Sequence, residues 1–191
     1  MARSNSIRII GGSFRGRRLG FPDVPGLRPT ADRLRETLFN WLQGQIEGAS
    51  CLDLFAGSGA LGLEALSREA QYVRFVDLSR AVTRQLEQNL QLLGAGDRAE
   101  IIAADGVRRL QRQADRQFDI VFLDPPFVED WLEQACENLE QNNWLKPRSW
   151  VYLEQDSRCD WPPLPASWQV HRQAKAGQAA CVLLRRDIIR G

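Results

Sequence analysis

Between Ser50 and Gln155, short apolar runs alternate with longer stretches whose apolar residues recur every three or four positions. A strand buried on both faces needs helices above and below it, so this alternation builds βαβ units and a parallel sheet. Strands are expected at Cys51–Leu54, Tyr72–Asp77, Glu100–Ala104, Phe118–Leu123 and Trp150–Glu154. Helices are expected at Ala60–Glu69, Ser79–Leu93, Val107–Arg116 and Glu129–Asn142, the second carrying Val82, Leu86, Leu90 and Leu93 along one face. After Trp161-Pro162-Pro163-Leu164-Pro165, which suits neither helix nor central strand, Trp168–Gln173 and Ala179–Arg185 flank the turn residues Ala176-Gly177-Gln178. They read as an antiparallel hairpin that closes one sheet edge. The expected fold is α/β and Rossmann-like, with a mostly parallel sheet of seven strands.

Upstream of this pattern, Ile7–Ile10 and Arg17–Leu19 around Gly11-Gly12 suggest a small β-ribbon, and a helix is expected over Ala31–Leu42 with Thr30 as its cap. We therefore divide the chain into an extension, residues 1–49, and a main domain, residues 50–191. The extension holds eight of the arginines up to residue 40 (Arg3, Arg8, Arg15, Arg17, Arg18, Arg28, Arg33 and Arg35) against three acids, while the whole chain is nearly neutral at +1. A local basic stripe on a neutral protein suits one face for contact with a polyanion, and arginine's planar fork suits phosphates and base stacking. The plainer alternative is an ordinary solvated surface.

At 43% hydrophobic residues the chain is globular rather than disordered. Its longest apolar runs fall well short of the roughly 20 residues of a membrane helix, and the Met1-Ala2-Arg3-Ser4-Asn5 start has no apolar signal core. A cytoplasmic protein with no membrane association is expected. Cys51, Cys136, Cys159 and Cys181 lack paired spacing, and His171 is the single histidine, so a zinc cluster or a disulfide framework is not expected.

The first strand runs into Asp53-Leu54-Phe55-Ala56-Gly57-Ser58-Gly59-Ala60-Leu61-Gly62, a glycine-rich turn that opens a helix. Glycines permit tight turning and close ligand approach, and a helix N-terminus presents free N–H groups. With Asp77 at the end of the second strand, the pattern matches a dinucleotide fingerprint in form, so an NAD-dependent dehydrogenase must be weighed. Against it, each of the first four strands ends in an acid: Asp53, Asp77, Asp105 and Asp124. These acids border the ligand crevice of a doubly wound sheet, and Asp53 would repel a pyrophosphate. S-adenosyl-L-methionine (SAM) carries no phosphate and offers an amino group, a sulfonium, ribose hydroxyls and an adenine amine, all of which carboxylates can serve. Asp53 is expected at the methionine end, Asp77 at the ribose and Asp105 at the adenine amine. The backbone of Gly57 and Gly59 should lie against the cofactor, with Phe55 and Gly106 in the same loops and Leu78 and Val107 as adenine walls or plain core residues. The alternative for any one acid is that it caps the following helix.

Asp124-Pro125-Pro126-Phe127 follows the apolar fourth strand at the switch point beside the glycine loop. Two prolines lock the backbone and remove two donors, leaving acceptors only. An exocyclic base amine is a poor nucleophile because its lone pair is delocalised into the ring. Accepting its hydrogens on the Asp124 carboxylate and the Pro125 carbonyl would favour a tetrahedral nitrogen aimed at a methyl donor. Phe127 would stack on a base taken out of its helical stack; otherwise it sits in the core of a proline-kinked loop. No metal is required, since the sulfonium is already an activated leaving group.

The motifs together resemble the RsmD-type bacterial 16S rRNA guanine-N2 methyltransferases. The resemblance runs through Arg8-Ile9-Ile10-Gly11-Gly12, Arg15-Gly16-Arg17, the block from Leu27-Arg28-Pro29-Thr30 to Leu42, Cys51 through Arg68, and Asp124 to Phe127. It implies a class I SAM-dependent methyltransferase acting on the N2 of one guanine of 16S rRNA, within the small ribosomal subunit or its assembly intermediate. It also implies that Thr30 and Arg33 help close the cofactor pocket and that the arginines Arg8, Arg15, Arg17, Arg18 and Arg28 grip RNA. A monomer is expected. The rivals are a DNA adenine-N6 methyltransferase, disfavoured because residues 1–49 leave no room for a large recognition domain, and an RNA-binding assembly factor with a vestigial cofactor site.

Overall fold

The computed structural model describes residues 5–25, 27, 30–126 and 130–187. The expected alternation builds one main sheet of seven strands in the order β5-β4-β3-β6-β7-β9-β8. These are β3 (Ser50–Asp53), β4 (Tyr72–Asp77), β5 (Ala99–Ala103), β6 (Phe118–Leu123), β7 (Leu145–Asp156), β8 (Trp168–Ala176) and β9 (Ala179–Arg186). β3 pairs parallel with both β4 and β6, so the chain reverses its direction of winding between those two, and the crevice of the switch point opens at their carboxyl ends. The hairpin partner β9 inserts antiparallel against β7 and leaves β8 at the edge.

The helices α2 (Ala60–Ser67), α3 (Arg80–Leu93), α4 (Gly106–Leu110) and α5 (Trp131–Gln141) connect these strands. In α3, the Ser79 hydroxyl accepts from the Val82 N–H at one end and left-handed Gly94 closes the other, bracketing the predicted apolar face. α4 is shorter than its pattern suggests. The Asn142 amide and the Trp144 indole both donate to the Leu110 carbonyl (2.8 and 3.1 Å), so tertiary donors end the helix where further turns had little apolar surface to bury. β7 begins five residues before the expected Trp150, because a register shift opposite Phe118 and Ile120 and a left-handed Arg148 (φ 59°) absorb Pro147 in a bulge.

The extension shares its core with the sheet. β1 (Ser6–Arg8) and β2 (Arg18–Gly20) pair antiparallel, and Ile7, Ile9 and Leu19 join Leu34, Leu38 and Phe39 of helix α1 (Asp32–Trp41) and Phe122 of β6. The buried Glu64 carboxylate of α2 accepts from the N–H groups of Ile10 and Gly11 (2.9 and 2.8 Å) and from Arg68, and buried Arg35 donates to the Arg8 carbonyl (2.6 Å). A side chain at Gly12 would meet the Ser67 carbonyl at 1.8 Å, so only glycine permits this docking. The ribbon is thereby pinned to the methyl-transfer domain expected from the sequence, rather than hanging as a loose basic arm.

Candidate active site

β3 and β4 end on Asp53 and Asp77, and Asp124 follows directly after β6, so three of the four predicted acids gather around the switch point. Asp53 is buried and accepts from the Gly62 N–H (2.9 Å) at the start of α2. Burial pushes its carboxyl well above the ordinary range; the Gly62 hydrogen bond opposes this, and the charges of Asp124 and Asp77 add to it. Asp77 accepts from the N–H groups of Gly57 (2.9 Å) and Ser79 (2.8 Å), which fixes it against the glycine turn. The same bond bears on the dinucleotide alternative, because a donor that a pyrophosphate would need is already given to a carboxylate.

Asp124 is held from the extension. The Thr30 hydroxyl donates to its Oδ2 at 2.9 Å. The sequence suggested that Thr30 caps α1, and this is corrected: the cap position is Ala31, with no side-chain hydrogen bond, and the Thr30 hydroxyl serves Asp124 instead. Burial pushes Asp124 up to about 6, against the pull of the Thr30 hydrogen bond. Pro125 beside it is buried and Pro126 exposed; Phe127 lies outside the described residues.

Asp105 takes the capping role that was its plain alternative, accepting from the Arg108 N–H (3.1 Å) with the Arg108 guanidinium 3.7 Å away. Gly106 is a packing glycine, since a Cβ there would lie 2.8 Å from the Leu54 carbonyl. The same holds for two glycines of the fingerprint: a side chain on Gly59 would strike Leu86 at 2.4 Å, and one on Gly62 would strike Phe75 at 2.2 Å. Gly57 makes the turn with φ 52°. Of the two candidate adenine walls, Leu78 is 69% exposed next to Asp77 while Val107 is buried. Phe55 is half-buried and stacked on Trp131 (centroids 5.7 Å, 17°).

On the extension, Arg33 is exposed on α1, and Arg8, Arg15, Arg17 and Arg18 are exposed on the ribbon and its turn. Arg17 also donates to the Leu92 carbonyl at 2.8 Å. Arg28 lies outside the described residues. The residues that the sequence reading missed are Glu154 and Tyr152 of β7. Leu153 pairs with Leu123, so Glu154 stands beside Asp124 on the neighbouring strand, where its buried carboxyl accepts from the Tyr152 hydroxyl at 2.6 Å. The signal was available, since the fifth expected strand, Trp150–Glu154, also ends on an acid.

This donor set fits SAM: an acid fixed at the glycine turn, buried carboxyls without a basic partner, and a proline-locked acceptor loop beside them. Comparison with known proteins bears on the same reading. The family described as Conserved hypothetical protein 95 matches residues 7–185. The ribosomal RNA small subunit methyltransferase D of Escherichia coli (strain K12) is 49% identical over 184 residues, covering 96% of this chain and 92% of that protein. Its namesake from Haemophilus influenzae is 47% identical over 174 residues, covering 90% and 89%. The solved structure of yhhF from Escherichia coli superimposes with a TM-score of 0.89 at 44% identity, over 96% of this chain and 99% of that one. With the match spanning both the extension and the main domain, the chain belongs to this family, the RsmD family.

Proposed function

We propose that this protein is a SAM-dependent methyltransferase that places a methyl group on the exocyclic N2 of one guanine in 16S rRNA, within the small ribosomal subunit or an assembly intermediate of it. The observation that carries the chemistry is Asp124, fixed by Thr30 at the carboxyl end of β6 and followed by two prolines. The names of the relatives support ribosomal RNA of the small subunit as the substrate class. SAM supplies a methyl group on a sulfonium that is ready to leave. Asp124 accepts one hydrogen of the amine and the Pro125 carbonyl the other, which concentrates the lone pair on nitrogen and orients it for transfer. Asp124 then takes the proton that the amine loses. Asp77 holds the ribose end, Asp53 the methionine end, and Leu78 covers the adenine. Phe127 stacks on the target base, and the exposed arginines of the ribbon face the RNA backbone. We place the enzyme in the cytoplasm as a monomer that needs no metal.

Incubation of the purified protein with methyl-labelled SAM and either small subunits lacking this modification or, in parallel, unmethylated DNA tests the proposal. The expected result is label in N2-methylguanosine at a single nucleotide of 16S rRNA. Label in adenine of DNA, with none in the subunit, would replace this reading with the DNA-methyltransferase alternative.

A further inference from the structure

Ten ion pairs form among the described residues, and none of them includes Asp53, Asp77, Asp124 or Glu154. Glu154 is the one of these four for which the proposed chemistry has no use. It is 6% exposed, one position beyond the Leu123–Leu153 pair and opposite Cys181 of β9. The groups that face it are Asp124 from the end of β6, Tyr152 from its own strand and Cys181 from β9; beyond Asp124 lie Asp53 of β3 and the Thr30 hydroxyl. All are acids or neutral donors. Two ionised carboxyls side by side in such a place repel each other with little water to screen them.

We infer that Glu154 is a positioning residue that holds a proton beside ionised Asp124 in the free enzyme and gives it up to solvent when SAM enters, so that cofactor binding and proton loss are one event. The inference rests on the reading of Asp124 as acceptor of the target amine. Burial and the Asp124 charge push Glu154 up to about 8, with the Tyr152 hydrogen bond pulling the other way, whereas Asp124 rises to about 6. Between those values the pair holds one proton, and Glu154, the more deeply buried of the two, keeps it. Burial carries the Cys181 thiol up to about 11, so it stays neutral throughout.

The charge balance of one turnover then closes. On binding, the O–H bond of Glu154 breaks, the proton goes to solvent, and two carboxylates face one sulfonium. In the transfer step, the bond from sulfur to methyl breaks with its electron pair remaining on sulfur, the amine lone pair forms the N–CH3 bond, and the amine N–H bond breaks. Asp124 receives that proton and shares it with Glu154, so the pair again holds one. The demethylated product, S-adenosylhomocysteine, is neutral at sulfur and meets a pair with the charge of the resting enzyme. It loses the attraction that SAM enjoyed, and the site favours substrate over product.

Isothermal titration calorimetry of the full chain near pH 7, in buffers of different ionisation enthalpy, counts the protons. SAM should release about one and S-adenosylhomocysteine about none. The ratio of their affinities should rise roughly tenfold per pH unit between about pH 6 and 8, as linkage requires for one proton. In Glu154→Gln, both the release and the pH slope should vanish while SAM still binds. Absence of release from the wild-type protein, or the same release from Glu154→Gln, overturns the inference, the second outcome placing the proton on Asp53 or another group. Should Glu154→Gln fail to fold, the wild-type comparison of the two ligands decides alone. A wild-type protein that binds SAM without releasing a proton refutes this inference and leaves the assignment of Asp124 standing. One that binds no SAM refutes both.

Discussion

Two sets of acids at opposite ends of the main sheet are held in opposite ways. Toward the amino ends of the strands, Asp119 accepts from Lys146 (2.7 Å) and from the Ser50 N–H (2.8 Å), and Asp115 bonds both Arg74 and Arg109 (2.7 and 2.8 Å). Glu140 accepts from Arg186 at 2.7 Å and from Trp168. Hydrogen bonds from Arg74 hold Asp115 below the ordinary carboxylate range. Toward the carboxyl ends, buried Asp53 and Glu154 and half-buried Asp124 have backbone or hydroxyl donors only, and all three are pushed upward. A fold optimised for stability alone would pair or discard such groups, because an uncompensated buried carboxyl costs free energy. The contrast marks the end where a cationic ligand completes the charge balance.

The sharpest way to break the contrast is Asp124→Ala. Loss of a positioned proton acceptor should lower the methylation rate by about 10²- to 10⁴-fold. SAM affinity should change little, because without the neighbouring charge Glu154 ionises more readily and the cluster keeps one negative charge. A rate within a few-fold of wild type, measured in single turnover, would remove Asp124 from the chemistry. The pH profile gives the same test without a mutation. Asp124 rises to about 6 in the folded enzyme, so kcat/KM for SAM, already falling about tenfold per unit below about 8 as Glu154 holds its proton, should fall more steeply below about 6, as the Asp124 carboxylate is protonated and stops accepting. Asp77→Ala should act on binding instead. Removing the acid that is bonded to Gly57 and Ser79 should weaken SAM binding by roughly 10- to 100-fold, the range for a hydrogen bond to a charged group. Unchanged affinity in a titration would refute its assignment to the ribose.

How much of this was legible in the sequence follows from how far each residue's partner lies along the chain. The strand and helix alternation is local, and the structure reproduces it with boundaries shifted by a few residues, except where α4 meets Asn142 and Trp144 from the far side of β6. The glycine turn and the strand-end acids were equally visible, because each follows its own strand directly. Thr30 was misread as a cap because its acceptor, Asp124, lies 94 positions away, and a tertiary partner overrode the local one. Glu154 escaped because its burial is decided by its neighbours, β6 on one side and β9 on the other, and not by its own strand. The fingerprint was legible as a motif but not in its reasons, since Gly59 and Gly62 make room for Leu86 and Phe75.

A smaller effect is expected at the basic ribbon, whose exposed arginines are proposed to contact RNA. Arg15 and Arg18 are exposed, whereas Arg17 also holds the Leu92 carbonyl, so the double variant Arg15→Ala, Arg18→Ala isolates the electrostatic role. If both arginines contact phosphates, the slope of log affinity against log salt should flatten by about 0.7–0.9 per lost contact, whatever the RNA sequence. A slope unchanged in filter binding over a range of salt would make the ribbon a solvated surface that merely packs on α2.

The smallest effect belongs to the opposite end, and it calibrates all the others. Lys146→Ala removes the cation from Asp119, but both side chains are partly open to water, at 40% and 37% exposure, and the Ser50 N–H remains as a donor to the carboxylate. Screening by solvent limits such a pair to about 1 kcal/mol or less. Thermal unfolding should therefore show a loss within that bound, while SAM affinity and methylation rate stay at wild-type values. If methylation fell more than stability did, the two ends of the sheet would be coupled, and the division between the paired acids of the amino end and the unpaired acids of the site would have to be redrawn.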